Sequence, residues 1–304
     1  MFKLVCGAGN EDTESVKRLV YVYAKSGCRF FDLSARKEIL ASAKEALKLA
    51  NVNDATLCVS VGIKGDPHIT KAKIDETKCL KCGSCLNSCL NDAILSSITV
   101  DEKKCIGCGN CARDCSAGAI SMFDKDVNVK GILPYMVQNG VEVLELHIMG
   151  HDKKDLAAKW KVINECKPKF ASICIDRENF GNKEVLNRIR EMIKDREPYT
   201  TIVQADGIPM SGADDTFKTT LQAIAMAEII QNANLPVYIM ISGGTNSKTK
   251  ELAKLCGINY WGIAVGSWAR KIVKQQIQSK DFWENKAIQE QAIKIASELV
   301  NSAS

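Results

Sequence analysis

Two runs of cysteines lie within 37 residues of this 304-residue chain, and they constrain its fold more than any other feature. Both runs have the spacing Cys-x2-Cys-x2-Cys-x3-Cys; they are Cys79, Cys82, Cys85 and Cys89, followed by Cys105, Cys108, Cys111 and Cys115. Thiolates are the soft anionic ligands that iron–sulphur clusters require. This spacing is typical of bacterial ferredoxins, in which the fourth cysteine of each run binds the cluster of the other run.

The crossed pattern therefore predicts two 4Fe-4S clusters with four ligands each. Cluster A takes Cys79, Cys82, Cys85 and Cys115, and cluster B takes Cys105, Cys108, Cys111 and Cys89. Structural zinc would use paired hooks set further apart, and His68 and His151 have no partner at metal-ligand spacing. The N-terminal residues do not resemble a secretory signal, which disfavours disulfides and favours a reducing cytoplasm.

The cysteine runs belong to a longer internal repeat. Residues 72–79 align with residues 98–105 at an offset of 26, at which Gly83 also matches Gly109. Each half predicts a short strand, a cluster loop, a helical turn and a return strand. The repeat defines an inserted α+β ferredoxin-like module over residues 68–124. A segment of this size has a small apolar core, so we expect the clusters to supply much of its folding free energy.

The overall composition is that of a soluble globular protein, with 46% hydrophobic and 25% charged residues. No apolar stretch approaches the length of a membrane span. The formal charge of +5 is offset by about −2 for each oxidised cluster, so the holoprotein is nearly neutral and nucleic acid is not an expected partner. The expected partners are a redox protein or a small electron carrier.

Outside the module, short apolar strands alternate with amphipathic helices, a pattern typical of a parallel sheet buried on both faces. The predicted strands cover residues 3–7, 29–33, 56–63, 141–149, 171–176, 200–205, 237–242 and 260–265. The predicted helices cover residues 13–26, 37–50, 129–138, 155–166, 183–194, 216–232, 247–255, 269–278 and 287–300. The first eight helices pair with the eight strands and predict an α/β fold of the TIM type, a (β/α)8 barrel. The ninth helix, residues 287–300, is an additional C-terminal helix that is expected to cover the outside or floor of the barrel. An open doubly wound sheet is the alternative, but no Gly-x-Gly-x-x-Gly motif follows the first strand.

The module interrupts the predicted barrel between the third strand and its helix. The barrel thus comprises residues 1–67 and 125–304. In a TIM barrel this connection lies at the carboxyl-end face, where active sites are found. We therefore expect an electron-transfer module at the rim of the barrel mouth.

The loops after the seventh and eighth strands suggest a phosphate site. They contain Gly243, Gly244, Gly266 and Ser267, and each loop precedes a predicted helix. Glycine lets the backbone approach a phosphate, and helix N-termini offer amide donors to it. FMN and a phosphorylated small molecule are both candidate ligands. Glycines that merely permit tight turns are the competing interpretation.

Other polar residues stand near strand ends that face the same rim; they are Asp32, Lys64, Glu145, His147, Asp176, Gln204 and Asp206. Alternation along the fourth strand places Glu145 and His147 on one face. For each residue alone, capping of the following helix or bonding to backbone amides is favoured over a role in proton transfer, with Asp176 and Asp206 as the leading caps, and at least one or two of the seven are expected to line a pocket. The sequence identifies no catalytic residue.

Residues 2–9 (FKLVCGAG), residues 26–35 (SGCRFFDLSA) and the cysteine module after a third strand resemble the light-dependent period protein family of cyanobacteria. The resemblance implies an iron–sulphur protein that senses or relays cellular redox state, in that family to the circadian clock. It implies no catalytic residues. Two functional classes stay open: a redox sensor or relay, and an oxidoreductase whose clusters supply electrons to a flavin or phosphorylated substrate at the barrel mouth.

Overall fold

The computed structural model describes residues 1–7, 9–66, 69–125, 127–176, 180–207 and 214–303. Eight parallel strands in these ranges close a barrel; they are β1 (Phe2–Val5), β2 (Phe30–Ser34), β3 (Thr56–Gly62), β6 (Val143–His147), β7 (Phe170–Ile175), β8 (Thr201–Asp206), β9 (Tyr238–Ser242) and β10 (Gly262–Val265). Their order around the barrel is β1-β10-β9-β8-β7-β6-β3-β2. The predicted TIM-type barrel is therefore confirmed.

Helices surround the barrel, as the amphipathic segments predicted. They are α1 (Thr13–Lys25), α2 (Lys37–Ala50), α5 (Val129–Gln138), α6 (Lys153–Glu165), α7 (Asn182–Ile193), α8 (Phe217–Asn232), α9 (Thr249–Leu255), α10 (Ser267–Ile272), α11 (Lys274–Ile277) and α12 (Lys286–Ala303). The Asp12 carboxylate caps α1 by accepting a hydrogen bond from the Ser15 amide at 3.1 Å. None of the described helices is both long enough and apolar enough to span a membrane.

The ferredoxin-like module is built on a two-stranded antiparallel sheet of β4 (Thr70–Ile74) and β5 (Ile120–Asp124). Between these strands lie two short helices, α3 (Ser84–Ser88) and α4 (Asn110–Arg113). Gly83 and Gly109, the glycines matched by the repeat, precede these helices with φ of 79° and 72°. A left-handed backbone favours glycine, which explains why both halves carry it at this position.

The two ends of the module lie side by side. The Gly65 amide donates to Asp124 Oδ2 at 3.1 Å, and the Lys125 amide donates to the Ile69 carbonyl at 2.9 Å. These contacts join the chain segments at the two limits of the predicted insertion, residues 68–124. Pro67 and His68, at the upstream limit, lie outside the described residues.

Buried contacts attach the module to the barrel. Lys71 of β4 donates from its ammonium group to the carbonyls of Gly9, Glu102 and Cys105, at 2.6, 2.7 and 2.6 Å. Ile106, in the second cysteine run, packs so closely on Gly9 that a Cβ atom there would lie 3.2 Å from Ile106 Cα. The cluster loop is thus held directly against the loop after β1.

The predicted helix 269–278 is instead two short helices, α10 and α11, which meet at Val273. The side chain of Val273 is fully buried, and the next residue, Lys274, contacts the module. The Lys274 ammonium donates to the Leu90 carbonyl at 2.9 Å and lies 2.9 Å from Asp92 Oδ2. Local periodicity does not encode this contact, because its partners lie far away in the sequence.

Candidate iron–sulphur centre and barrel mouth

The structure brings Cys89 together with the cysteines of the second run. Cys89, Cys105, Cys108 and Cys111 line one cavity, with Ala72, Ile94 and Met122 among its apolar walls. We call these four cysteines set B. Burial and the neighbouring thiols of Cys108, Cys105 and Cys89 raise the pKa of Cys111 to about 11. Four convergent sulphurs in an apolar surrounding match the donor set that a 4Fe-4S cluster requires.

The remaining four cysteines of the two runs, Cys79, Cys82, Cys85 and Cys115, are called set A. Cys85 is buried, and its burial, together with the nearby thiols of Cys79, Cys115 and Cys82, raises its pKa. Cys115 thus lies with the first run although it belongs to the second. Set A is the more accessible of the two because Cys82 is exposed, whereas set B contains the buried Cys105 and Cys111.

Backbone amides point at the cysteine sulphurs in both halves of the repeat. The Ala93 amide donates to Cys89 Sγ at 3.2 Å, and the Ala119 amide, 26 residues later, donates to Cys115 Sγ at 3.3 Å. The Ala72 amide similarly donates to Cys105 Sγ at 3.4 Å. Hydrogen bonds to ligand sulphurs stabilise thiolates and help to set cluster potentials. The module therefore presents the candidate ligand sulphurs together with backbone amides that donate to them.

The barrel interior is apolar at one end and polar towards the mouth. The apolar layer consists of Phe30, Cys58, Val143, Ile202, Met240 and Ala264. Above it, the Lys3 ammonium donates to Glu145 Oε2 at 2.7 Å and to Gln204 Oε1 at 2.8 Å, and it lies 3.6 Å from Asp32 Oδ2. Parallel strands point alternate side chains inward, so these residues from four strands meet on the barrel axis.

The polar network continues towards the carboxyl ends of the strands. Ser172 donates to Glu145 Oε2 at 2.7 Å, and Ser60 donates to Asp32 Oδ1. His147 Nε2 lies 3.2 Å from Glu145 Oε1, as the alternation along this strand predicted. Cys174 then donates from its thiol to Asp206 Oδ2 at 3.4 Å. The connected side chains lead from Lys3 to the mouth.

Burial and charge act in opposite directions on the two carboxyls nearest Lys3. Burial favours the neutral acid at Glu145, but the Lys3 ammonium and His147 outweigh it and hold the pKa of Glu145 well below its usual range. At Asp32 burial outweighs the attraction of Lys3, so the pKa of that carboxyl is raised. Glu145 is thus the main counter-ion of Lys3.

The favoured capping interpretation is wrong for the strand-end residues inside the barrel. Asp32, Glu145, His147 and Gln204 bond to one another or to Lys3, and the caps of α7 and α8 are Gly181 and Thr216 instead of Asp176 and Asp206. Lys64 is exposed; its backbone amide donates to Asp155 Oδ2 at 2.8 Å. The sequence interpretation missed several members of the network, namely Lys3, Ser60, Ser172 and Cys174. Polar residues at alternate positions of apolar strands were the available signal.

The predicted phosphate loops line a small cavity of about 70 Å³ at the barrel mouth. Its walls include all four predicted residues, Gly243, Gly244, Gly266 and Ser267, together with Ile106 of the cluster loop. His147, Gln204 and Asp206 connect it to the polar network. The mouth cavity therefore lies between the buried network and the module.

The two glycine loops differ in what surrounds them. Gly243 and Gly244 have φ of 73° and 75°, and a Cβ atom on Gly243 would collide with Asp206 Oδ1. At Gly266 a Cβ atom would lie 3.2 Å from Arg270 Nη1. One side of the cavity is therefore formed by a tight turn beside the Asp206 carboxylate, and the other side is formed by the loop beside the Arg270 guanidinium.

The expected pair of converging helix N-termini is absent from the described residues. Helix α9 begins only at Thr249, and α10 begins at Ser267 but is a helix of six residues. Arg270 supplies the positive charge instead. Its Nη1 donates to the Val5 carbonyl at 2.8 Å, and its Nε is buried without a hydrogen-bond partner.

Comparisons with known proteins agree with the module and the barrel. Residues 97–120 match a 4Fe-4S binding domain, and residues 135–302 match the light dependent period A C-terminal domain. A relative named light dependent period A, from Synechococcus elongatus, is 28% identical over 284 residues, which cover 88% of this chain and 80% of the relative.

Two solved structures share a weaker likeness. Dihydrodipicolinate synthase from Oceanobacillus iheyensis is 8% identical, with a TM-score of 0.40 over 96% of this chain and 76% of the other. The carboxyl transferase domain of Rhizobium etli pyruvate carboxylase is 11% identical, with a TM-score of 0.44 over 98% of this chain and 47% of the other. These likenesses carry no argument about the activity or ligands of this chain.

The match to the C-terminal domain spans more than half of the chain, and the iron–sulphur match lies in the inserted module. The protein is an iron–sulphur protein that belongs to the light dependent period A family.

Proposed function

We propose that this protein senses or relays cellular redox state through two 4Fe-4S clusters, one held by set A and one by set B. The observation that carries this proposal is the crossed arrangement of the eight cysteines, with Cys89 beside the second run and Cys115 beside the first. Each cluster accepts or releases one electron at a time and so reports the potential of its surroundings. The name of the Synechococcus relative refers to light and period, which supports a sensing role.

The unequal exposure of the two sets determines which cluster an external redox partner can reach. Cys82 of set A faces solvent, where a redox partner protein or a small carrier can approach. Set B lies next to Ile106, which lines the mouth cavity. We propose that electrons enter or leave through cluster A and reach the barrel through cluster B. The reducing cytoplasm is the proposed location, because eight ligand thiolates must escape disulfide formation.

Metal analysis of anaerobically purified protein tests the two-cluster proposal. We expect about eight iron and about eight acid-labile sulphide per chain, as two 4Fe-4S clusters require. Cys89→Ala is expected to impair the cluster held by Cys105, Cys108 and Cys111, whereas Cys115→Ala impairs the other. Electron paramagnetic resonance of the reduced variants distinguishes the two clusters. Stoichiometric zinc, or a single cluster in the unsubstituted protein, would falsify the proposal.

A second candidate is an oxidoreductase that uses the clusters to transfer electrons to a flavin or a phosphorylated substrate at the barrel mouth. The position of Arg270 beside Gly266 and Ser267 favours an anionic group on that side of the mouth cavity. Gly243 and Gly244 then close the opposite wall. The cavity of about 70 Å³ suits a phosphate group, whereas sites for whole cofactors occupy several hundred Å³.

Phosphate binding measured by isothermal titration calorimetry tests this second candidate. We expect Gly266→Ala to weaken phosphate binding at least tenfold, because the added methyl group crowds the Arg270 guanidinium. The iron content of the variant should remain that of the parent protein. Equal phosphate affinity in the two proteins would leave the glycines with a role in turn geometry alone.

A further inference from the structure

A groove of about 380 Å³ follows the seam between the module and the barrel. Leu90, Lys104 and Cys108 form its module side, and α1 and the α10–α11 segment form its barrel side. Its volume lies within the range of small-molecule sites. Because Cys108 belongs to set B, a molecule in this groove would contact the wall of the inner cluster.

The groove is positively charged. Five cationic side chains line it, Arg18, Lys104, Arg270, Lys271 and Lys274, whereas Asp12 and Glu14 are its only lining carboxylates among the described residues. Carboxylates lie near three of these cations: Glu14 is 2.6 Å from Arg18, Asp214 is 3.5 Å from Lys271 and Asp92 is 2.9 Å from Lys274. The five cations outnumber these four carboxylates by one, and the cations without a carboxylate partner are the ones that favour an anionic ligand.

Lys104 and Arg270 are the cations left for such a ligand. Neither forms an ion pair with a carboxylate in the described part of the chain, although the Arg270 guanidinium also attracts the nearby Cys108 sulphur of set B. The buried Arg270 Nε in addition lacks a hydrogen-bond partner, which is costly for a charged donor unless a ligand satisfies it. Arginine suits phosphate because its planar group can donate two parallel hydrogen bonds.

The groove is adjacent to the mouth cavity. Ile106, Ser267 and Arg270 line both spaces. A ligand could therefore place a phosphate beside Ser267 and Arg270 while a larger group lies in the groove. Leu90, which is 43% exposed, gives the module side of the groove an apolar surface suited to a ring.

We propose that this groove binds a ligand of the flavin mononucleotide class, a planar redox-active ring carrying a phosphate, in contact with the wall of cluster B. The inference rests on the two-cluster function proposed above and names the ligand and its location. A 4Fe-4S cluster donates one electron at a time. Flavins take part in one-electron chemistry, whereas nicotinamides transfer hydride.

The electron transfer balances without another oxidant or reductant. With both groups bound, a reduced cluster B would pass one electron to the ring and return to its oxidised state, and the ring would be reduced by one equivalent. Water at the open side of the groove supplies the accompanying proton. The reverse transfer reduces the cluster and returns the proton to water.

Binding of FMN to the anaerobic holoprotein, followed by quenching of flavin fluorescence, tests the proposal. We expect one FMN per chain and at least tenfold weaker binding of riboflavin, which lacks the phosphate. Arg270→Gln should remove the preference for FMN over riboflavin. Ser15→Trp should block both ligands, because Ser15 lines the groove from α1.

Lys25→Trp provides the matched control, since Lys25 is exposed on the same helix and does not line the groove. Equal affinity for FMN and riboflavin, or unchanged binding in Ser15→Trp, would overturn the groove assignment. Holoprotein with both clusters that binds no FMN also overturns it and leaves the two-cluster proposal standing. Protein that binds FMN but contains one cluster contradicts the two-cluster proposal and leaves the groove assignment standing.

Discussion

At the scale of single residues, Lys3 determines the charge balance of the barrel interior. Its side chain is 1% exposed, Glu145 is fully buried, and the two groups are joined at 2.7 Å. A buried ion pair adds little to stability relative to apolar residues, but removal of one partner leaves an uncompensated charge. The pair therefore makes the fold sensitive to substitution on either strand.

We expect Lys3→Met to lower the free energy of unfolding by about 3–5 kcal/mol at neutral pH, because Glu145 then remains buried without its counter-ion. Urea unfolding of the anaerobic holoprotein provides the measurement. Lys25→Met, on the exposed surface of α1, is the control, with an expected change within about 0.5 kcal/mol. The additional substitution Glu145→Gln should recover part of the loss. Equal stability of Lys3→Met and the control would show that the pair is dispensable.

The stability that Lys3→Met loses relative to the parent protein should depend on pH. In the parent protein the depressed pKa of Glu145 contributes stability above its unfolded pKa of about 4.3, and this contribution is lost as pH falls through the folded pKa. Without Lys3, burial raises the pKa of Glu145, so the variant binds a proton at higher pH. The stability difference between the two proteins should consequently narrow as the pH falls from about 7 to about 5.

At the scale of elements, much of the fold follows from local sequence signals. The strand and helix pattern predicts the barrel, and helix α2 and helix α5 have the predicted limits, Lys37–Ala50 and Val129–Gln138. Cysteine spacing predicts the position of the module because the ligand pattern is itself local. The ion pair between Lys274 and Asp92 joins segments that are distant in sequence, so helical periodicity could not predict it. The same periodicity continues through Val273, so it also could not predict the interruption between α10 and α11.

The candidate site was only partly predictable for a related reason. Alternation along one strand paired Glu145 with His147, but it could not show that Lys3 of β1 completes the pair with Glu145. Closure of the barrel brings these strands together, and closure depends on all eight strands. Arg270 likewise becomes informative only once the Gly266 loop and the cluster loop meet at the mouth.

At the scale of the whole molecule, the adjacent ends of the module suggest that barrel and module are separable. We expect deletion of residues 68–124, with the ends joined by a short Gly/Ser linker, to leave a folded barrel without iron. The contacts of Lys71 and Ile106 are lost, so its thermal midpoint should lie below that of the parent protein. Circular dichroism and iron analysis test both expectations. An insoluble product, or a product without cooperative unfolding, would show that the two parts share one folding unit.

The unequal burial of the two cysteine sets should determine the order in which they are oxidised in air. Cys82 meets solvent, whereas Cys111 is 7% exposed and sits against apolar side chains. Oxygen and peroxide reach accessible sulphur first, so damage should begin at the outer site and spread inward. In the proposed two-cluster protein, loss of the cluster at set A would leave the cluster at set B in place against the barrel. Oxidative loss of iron should therefore occur in two stages, first from set A and later from set B beside the barrel mouth.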